Sequence, residues 1–179
     1  MWRRGAGSFV RGGGVALALA FSCGGASLAQ AAMAETAPLQ ADKILVLKSQ
    51  RELLLLRDGM VIKSYPIALG PHPRGTKHEN GDGKTPEGVY TIDARHENSP
   101  YYLALHISYP SAAQQSRAAA THTDPGGDIF IHGLPVRFGH TDPIRFYKDW
   151  TEGCIAVGNV AIEEIWRAVT DGTPIEIRP

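Results

Sequence analysis

The stretch KILVLKSQRELLLLRDGMVIKSYPIALG, residues 43–70, breaks into three extended segments, at 44–47, 52–56 and 60–69. Asp58 and Gly59 both tolerate the positive φ of a two-residue hairpin turn, which predicts that the second and third segments fold back on each other. An antiparallel meander therefore opens the domain. Working outward, GVYTIDA (88–94) and YYLALHI (101–107) alternate large apolar residues in the manner of strands, DIFIH (128–132) follows a DPGG turn, and 173–178 supplies a last strand. Helices are few. SAAQQSRAAA (111–120) is alanine-rich with Ser111 as its cap. A second helix is capped by Asn159, places Ile162, Ile165, Trp166 and Val169 at i, i+3, i+4 and i+7, and ends at Asp171-Gly172. The expectation is a mainly β, antiparallel domain with one or two short helices laid against it.

The connection PHPRGTKHENGDGKTPEG (71–88) is dense in glycine, proline and short polar residues, and is long for a compact domain, which marks it as a functional rim. Its GDG lacks the alternating oxygen ligands and terminal glutamate of a calcium loop.

Residues 1–34 read as a secretory signal peptide: Arg3, Arg4 and Arg11 precede an apolar run at 15–21, and AQA (29–31) and AMA (32–34) offer two A-x-A cleavage sites. The run is too short and too interrupted by glycine to span a bilayer, and no later segment is long enough. Lipidation at Cys23 is the weaker alternative, because Ala20-Phe21-Ser22 is a poor lipidation sequence. The expected organisation is a signal at 1–34, a short linker at 35–42 and one domain at 43–179, exported to the periplasm. Basic and acidic residues balance at eighteen each over the whole chain. Losing the signal arginines tips the remainder slightly acidic, and no basic stripe argues for nucleic acid.

Export also leaves Cys154 as the one cysteine, with no partner in an oxidising compartment. A free thiol is either a small hydrophobe filling the core or a nucleophile. Cys154 follows Gly153 in DWTEGCIAV (149–157), and His132 ends the predicted strand DIFIH. A thiol nucleophile needs a nearby imidazole to take its proton and stabilise the thiolate, and amide donors for the acyl oxygen. Gly153 is either the glycine that turns two amides into such a pocket or an ordinary turn glycine. No histidine pair at i, i+4 and no C-x-x-C appears, so no metal and no other cofactor is expected.

His132-Gly133, then seventeen residues, then Thr151-Glu152-Gly153-Cys154-Ile155, resembles the signature of the YkuD-type L,D-transpeptidases, a histidine usually in HG followed by [S/T]-x-G-C and an apolar residue. The spacing sits at the long end of that family's range. Within GDGKTPEGVYTI (81–92), TPEGVY matches the TP-x-G-x-Y/F part of its G-x-x-TP-x-G-x-Y/F segment, and the opening hairpins and the final helix and strand follow its order. The resemblance covers roughly 43–177. It implies a β-sandwich or partly closed barrel acting on peptidoglycan stem peptides, with Cys154 as nucleophile, His132 as general base and acid, Gly133 orienting His132, and Gly153 at the oxyanion hole. Thr151, Arg145 and His106 are then candidates for binding substrate. Many members carry arginine two places after the cysteine, where this chain has Ala156; Arg137, Arg145 or Lys148 could hold the substrate's carboxylates instead. The acceptor implied is the amine of a second stem or of a lipoprotein lysine. Water in its place gives a carboxypeptidase, and a degenerate site gives a non-catalytic peptidoglycan-binding module. His140, in the loop GHTDP, is the weaker base candidate, and Tyr147 and Trp150 read as packing residues.

Overall fold

The computed structural model describes residues 39–135 and 148–179. The opening stretch forms β1 (Lys43–Leu47), β2 (Glu52–Arg57) and β3 (Met60–Pro66), paired antiparallel in chain order. Alternation sends Ile44 and Val46 of β1 and Leu53 and Leu55 of β2 into the core. Asp58 and Gly59 turn the hairpin at φ 52° and 75°, the positive values that this pair was expected to supply.

Five more strands complete the sheet: β4 (Gly88–Ser99), β5 (Tyr102–Ile107), β6 (Phe130–His132), β7 (Ile155–Ala156) and β8 (Pro174–Arg178). Their order is β3-β2-β1-β8-β4-β5-β6-β7. β4 joins the two halves. Residues 88–91 pair with β8 and residues 92–99 pair with β5, with register shifts that bend the strand between the two partners. The sheet is not closed; its far ends meet through a single bridge, Ala68 to Ala156, with two backbone hydrogen bonds of 2.9 Å. Two pairings depart from the antiparallel expectation: β1 with β8 and β6 with β7 run parallel. Each pair is separated by a long crossover, the connection that a parallel neighbour requires and that local hairpin signals cannot reveal.

Helix α1 (Ala112–Thr121) is capped by Ser111 in a reciprocal arrangement with Gln114. Helix α2 (Asn159–Ala168) has Gly158, not Asn159, at its cap, because the Asn159 side chain is turned to the neighbouring loop, where its Oδ1 accepts the Leu134 amide at 2.8 Å. Ile162, Ile165, Ala168 and Val169 are buried, whereas Trp166 stays half-buried under the Arg95 guanidinium, 3.9 Å from the ring centre.

The loop at 71–88 is fastened by two lysines that its own composition hides. Lys48, 1% exposed, donates to the carbonyls of Gly75 (2.6 Å) and Thr85 (3.1 Å) and to Glu87 Oε1 (2.8 Å). Lys77, also buried, donates to Glu79 O and Asp82 Oδ1, both at 2.9 Å. Burial by itself would raise the Asp82 carboxyl, but the amides of His78, Lys84 and Glu79 together with Lys77 outweigh it and hold it down at about 2.

Candidate active site

His132 is the last residue of β6, and β7 runs parallel beside it with His132 opposite Ala156. Cys154 lies two positions before Ala156, so alternation places its side chain on the same face as His132, one diagonal step back. Both line one cleft of about 330 Å³ with Tyr101, His96, Phe130 and Asp128. The Cys154 thiol donates to the Asp128 carbonyl at 3.5 Å. The imidazole of His132 packs against Tyr101 (4.5 Å between ring centres) and Trp150 (5.7 Å). A larger groove of about 810 Å³ over Lys48, Arg51, Arg74 and Asp149 contains neither His132 nor Cys154.

The His132 ring has a defined orientation. Its Nδ1 lies 2.7 Å from the Gly133 carbonyl, and a carbonyl only accepts, so Nδ1 carries the hydrogen and Nε2 keeps the lone pair. Gly133 cannot carry a side chain: a Cβ there would sit 2.7 Å from Asn159 Oδ1 and 2.9 Å from the Tyr101 carbonyl.

The cysteine turn is braced from both sides. Asp149 Oδ1 accepts the Leu69 amide (2.9 Å), and its two oxygens take the Arg51 guanidinium at 3.0 and 2.6 Å. The Thr151 hydroxyl donates to the Cys154 carbonyl (2.7 Å) and accepts the Gly153 amide (3.2 Å), so Thr151, 5% exposed, sits inside the turn. Gly153 has φ 130°, and a Cβ on it would stand 2.6 Å from the Lys84 carbonyl; both facts require glycine. Its own carbonyl accepts the hydroxyl of the fully buried Thr85 at 2.8 Å. The long loop thus holds the turn, through Lys84 and Thr85 of the TP segment.

Burial drives the two reactive groups toward their neutral forms. Desolvation pushes His132 down to about 4, against a smaller opposing pull from the Gly133 carbonyl. Desolvation raises the Cys154 thiol, the charges of Asp128 and Glu152 add to the rise, and a hydrogen bond from the Phe130 backbone and the more distant Lys77 oppose it. The resting pair is a thiol and a neutral imidazole, not the thiolate–imidazolium pair that stabilisation by a histidine suggests.

A model of the L,D-transpeptidase catalytic domain, YkuD, matches residues 41–177. The chain belongs to this YkuD family. It is 30% identical over 133 residues to the Escherichia coli K12 protein named "Putative L,D-transpeptidase YafK", a match covering 71% of this chain and 46% of that one. The YkuD chain therefore spans about half the length of the curated relatives it matches. Among solved structures it is similar to the helical cell shape determining protein Pgp2 from Campylobacter jejuni, at 26% identity and a TM-score of 0.60, covering 76% of this chain and 46% of that one. The L,D-transpeptidase from Xylanimonas cellulosilytica, at 15% identity and a TM-score of 0.51 over 78% of this chain and 61% of that one, shares the fold.

In this YkuD domain the residues anticipated from sequence separate into three groups. His132, Gly133, Gly153, Cys154 and Thr151 converge on the cleft and the turn beneath it. His106 stands outside the lining of the cleft: its Nδ1 is 2.6 Å from Asp93 Oδ1 and its ring centre lies 4.9 Å from that of Phe130. Arg137, His140, Arg145 and Tyr147, like the expected signal and Cys23, lie outside the described residues. Ala156 is fully buried in β7, and Lys148 is exposed. His96, two residues past the expected end of the strand at 88–94, instead belongs to the extended β4 and lines the cleft. Tyr101, Asp128, Thr85 and Asp149 were missed. Only Thr85 had a signal, the TP of the matched segment. Among the described residues no group of three or more His, Cys, Asp or Glu is placed to hold a metal, and no helix is long and apolar enough to cross a membrane.

Proposed function

We propose that this domain, exported behind a signal at 1–34 and folded from about residue 43, is a periplasmic cysteine L,D-transpeptidase acting on peptidoglycan tetrapeptide stems. The observation that carries the reading is the placement of Cys154 and His132 on one face of adjacent strand ends, in one cleft, with the imidazole Nδ1 tied to Gly133 and Nε2 left to accept a proton.

The stem's third-residue carbonyl enters beside Cys154 and displaces water. The thiol hydrogen turns from the Asp128 carbonyl to Nε2 of neutral His132, which takes it as sulfur attacks carbon; this is general-base catalysis from an uncharged pair. The oxygen of the tetrahedral intermediate is held by backbone amides of the cysteine turn. The Gly153 amide already has Thr151 Oγ1 at a long 3.2 Å, so it must loosen that bond as it takes the oxyanion, with the Cys154 amide beside it. Collapse breaks the C–N bond, the terminal D-alanine leaves with the proton from His132, and the third residue remains as a thioester on Cys154. An incoming amine then attacks the thioester carbon, its proton passes to His132, and the C–S bond breaks as Cys154 leaves and recovers that proton, giving a 3→3 cross-link or an attached amine acceptor.

Incubation of the protein with purified tetrapeptide muropeptides, followed by mass spectrometry, tests the reaction. Loss of D-alanine with cross-linked dimers is the expected result. Tripeptides without dimers would replace transpeptidation with carboxypeptidase activity, and unchanged stems that nonetheless bind would leave a non-catalytic peptidoglycan-binding module.

A further inference from the structure

The substrate of a cleft is written in the charges that its wall leaves unmatched. Around Cys154 most carboxylates are already engaged: Asp149 with Arg51, Asp82 with Lys77, and Asp93 with His106. Asp128 is different. It lines the Cys154 cleft, its backbone carbonyl touches the thiol, and its exposed carboxylate has no ion-pair partner among the described residues. Glu152, also exposed and without such a partner there, adds a second negative charge acting on the thiol. Among the described residues no lysine or arginine lines the cleft. Ala156, two residues after the cysteine, is buried in the bridge to Ala68 and brings no charge to the cleft.

Resting on the reading of Cys154 as the acylated nucleophile, we propose that Asp128 is a specificity residue that binds the ammonium group of an amine-bearing stem peptide at the mouth of the cleft. The chemistry follows from the charges. A carboxylate on the wall of a partly desolvated cleft attracts a primary ammonium and repels a carboxylate, so it orders stems by which end they present. Binding also has a consequence for the thiol. The negative field of Asp128 disfavours the thiolate in the empty cleft, and an ammonium seated on Asp128 cancels that field where the substrate carbonyl arrives. The nucleophile is thereby favoured by the substrate that it is meant to attack.

Charged thiol reagents test this without any peptidoglycan. The full chain is treated at low salt with aminoethyl (cationic), sulfonatoethyl (anionic) and methyl (neutral) methanethiosulfonates. Each forms a disulfide with the thiolate and releases methanesulfinate. Adducts on the Cys154 peptide are followed by mass, and each rate is divided by that reagent's rate with a small free thiol. For a carboxylate several ångströms from the reacting sulfur at an intermediate effective dielectric, the normalised cation-to-anion ratio is expected to be about five or more. Asp128→Asn should cut that ratio about three-fold. Asparagine tolerates the left-handed backbone of this position (φ 52°) as aspartate does, so the fold is retained. Because both reagents meet the same thiol, the ratio cancels any change in thiol acidity. A ratio near one, or one that Asp128→Asn leaves unchanged, overturns the Asp128 assignment while leaving the nucleophile standing. Failure of even the neutral reagent to modify Cys154 removes the nucleophile reading and this assignment with it.

Discussion

Lys48 and His132 are both nearly sealed from solvent, at 1% and 4% exposure, and each belongs to a different end of the molecule's work. The Lys48 ammonium has three partners, two loop carbonyls and the Glu87 carboxylate. Among the described residues the His132 ring has one hydrogen-bond partner, the Gly133 carbonyl; it packs against aromatic rings and is driven to about 4. A buried ionisable group whose hydrogen-bonding capacity is filled fastens structure. One whose capacity is left half open, with a lone pair toward a cleft, is free to move a proton. The two regions are joined through Thr85, whose carbonyl takes Lys48 and whose hydroxyl holds Gly153.

Substitutions at the two ends should therefore fail in different ways. His132→Ala is expected to lower the rate of Cys154 acylation by about 10³-fold, within the range of general-base contributions, while costing less stability than the loss of the Lys48 ammonium. A large loss of stability instead would make His132 a structural residue like Lys48. Lys48→Met should do the opposite. Removing the ammonium leaves Glu87 and two loop carbonyls unmatched, at a cost of about 3 kcal/mol, the low end for breaking a buried pair because Glu87 is partly exposed. Urea denaturation measures that cost, and protein that remains folded should retain most of its thiol reactivity.

The same contrast predicts a pH dependence. The unfolded chain protonates His132 near 6.5, whereas the folded chain resists until about 4. Between those values the unfolded state binds more protons, so stability conferred by neutral His132 is complete above 6.5 and is lost as pH falls toward 4. The contribution is about 3 kcal/mol at most. Denaturation midpoints should fall across that window in the wild type and fall less in His132→Ala; identical slopes would mean that the ring is not neutral when folded. The smallest effect is expected at the joint. Thr85→Val keeps the shape but leaves the Gly153 carbonyl unsatisfied, costing about 1.5 kcal/mol. Displacing the turn should also slow acylation about ten-fold. Lost stability with unchanged acylation would show that the loop does not position Cys154.

Local physics was sufficient for two elements: Asp58-Gly59 turns the hairpin and Ser111 starts the first helix. The grouping of His132, Gly133, Gly153 and Cys154 came instead from the resemblance carried by the HG and T-x-G-C motifs, and His132 and Cys154 do line one cleft. What stayed hidden depends on contacts distant in the chain. The parallel neighbours β1–β8 and β6–β7 have no local signal, because their register is set by crossovers. Lys48 reads as an ordinary turn lysine until the loop at 71–88 is folded over it. Asn159 carries the composition of a cap, yet Leu134 offers its side chain a different amide. His96 fell outside the expected strand because polar residues end the alternation at Ala94, although pairing with β5 carries β4 on to Ser99. The protonation state was likewise invisible. A histidine motif offers a candidate base, but the burial that keeps His132 neutral exists only once Tyr101 and Trp150 pack against it.

The account rests on proton transfer from Cys154 to a neutral, oriented His132. Acid-quenched mixtures of the protein with tetrapeptide stems, digested and mapped by mass spectrometry, examine that step directly. The prediction is a stem lacking its terminal D-alanine, attached as a thioester to the Cys154 peptide in the wild type and absent in His132→Ala. Equal labelling of both proteins, or stems bound without any adduct at Cys154, would contradict it.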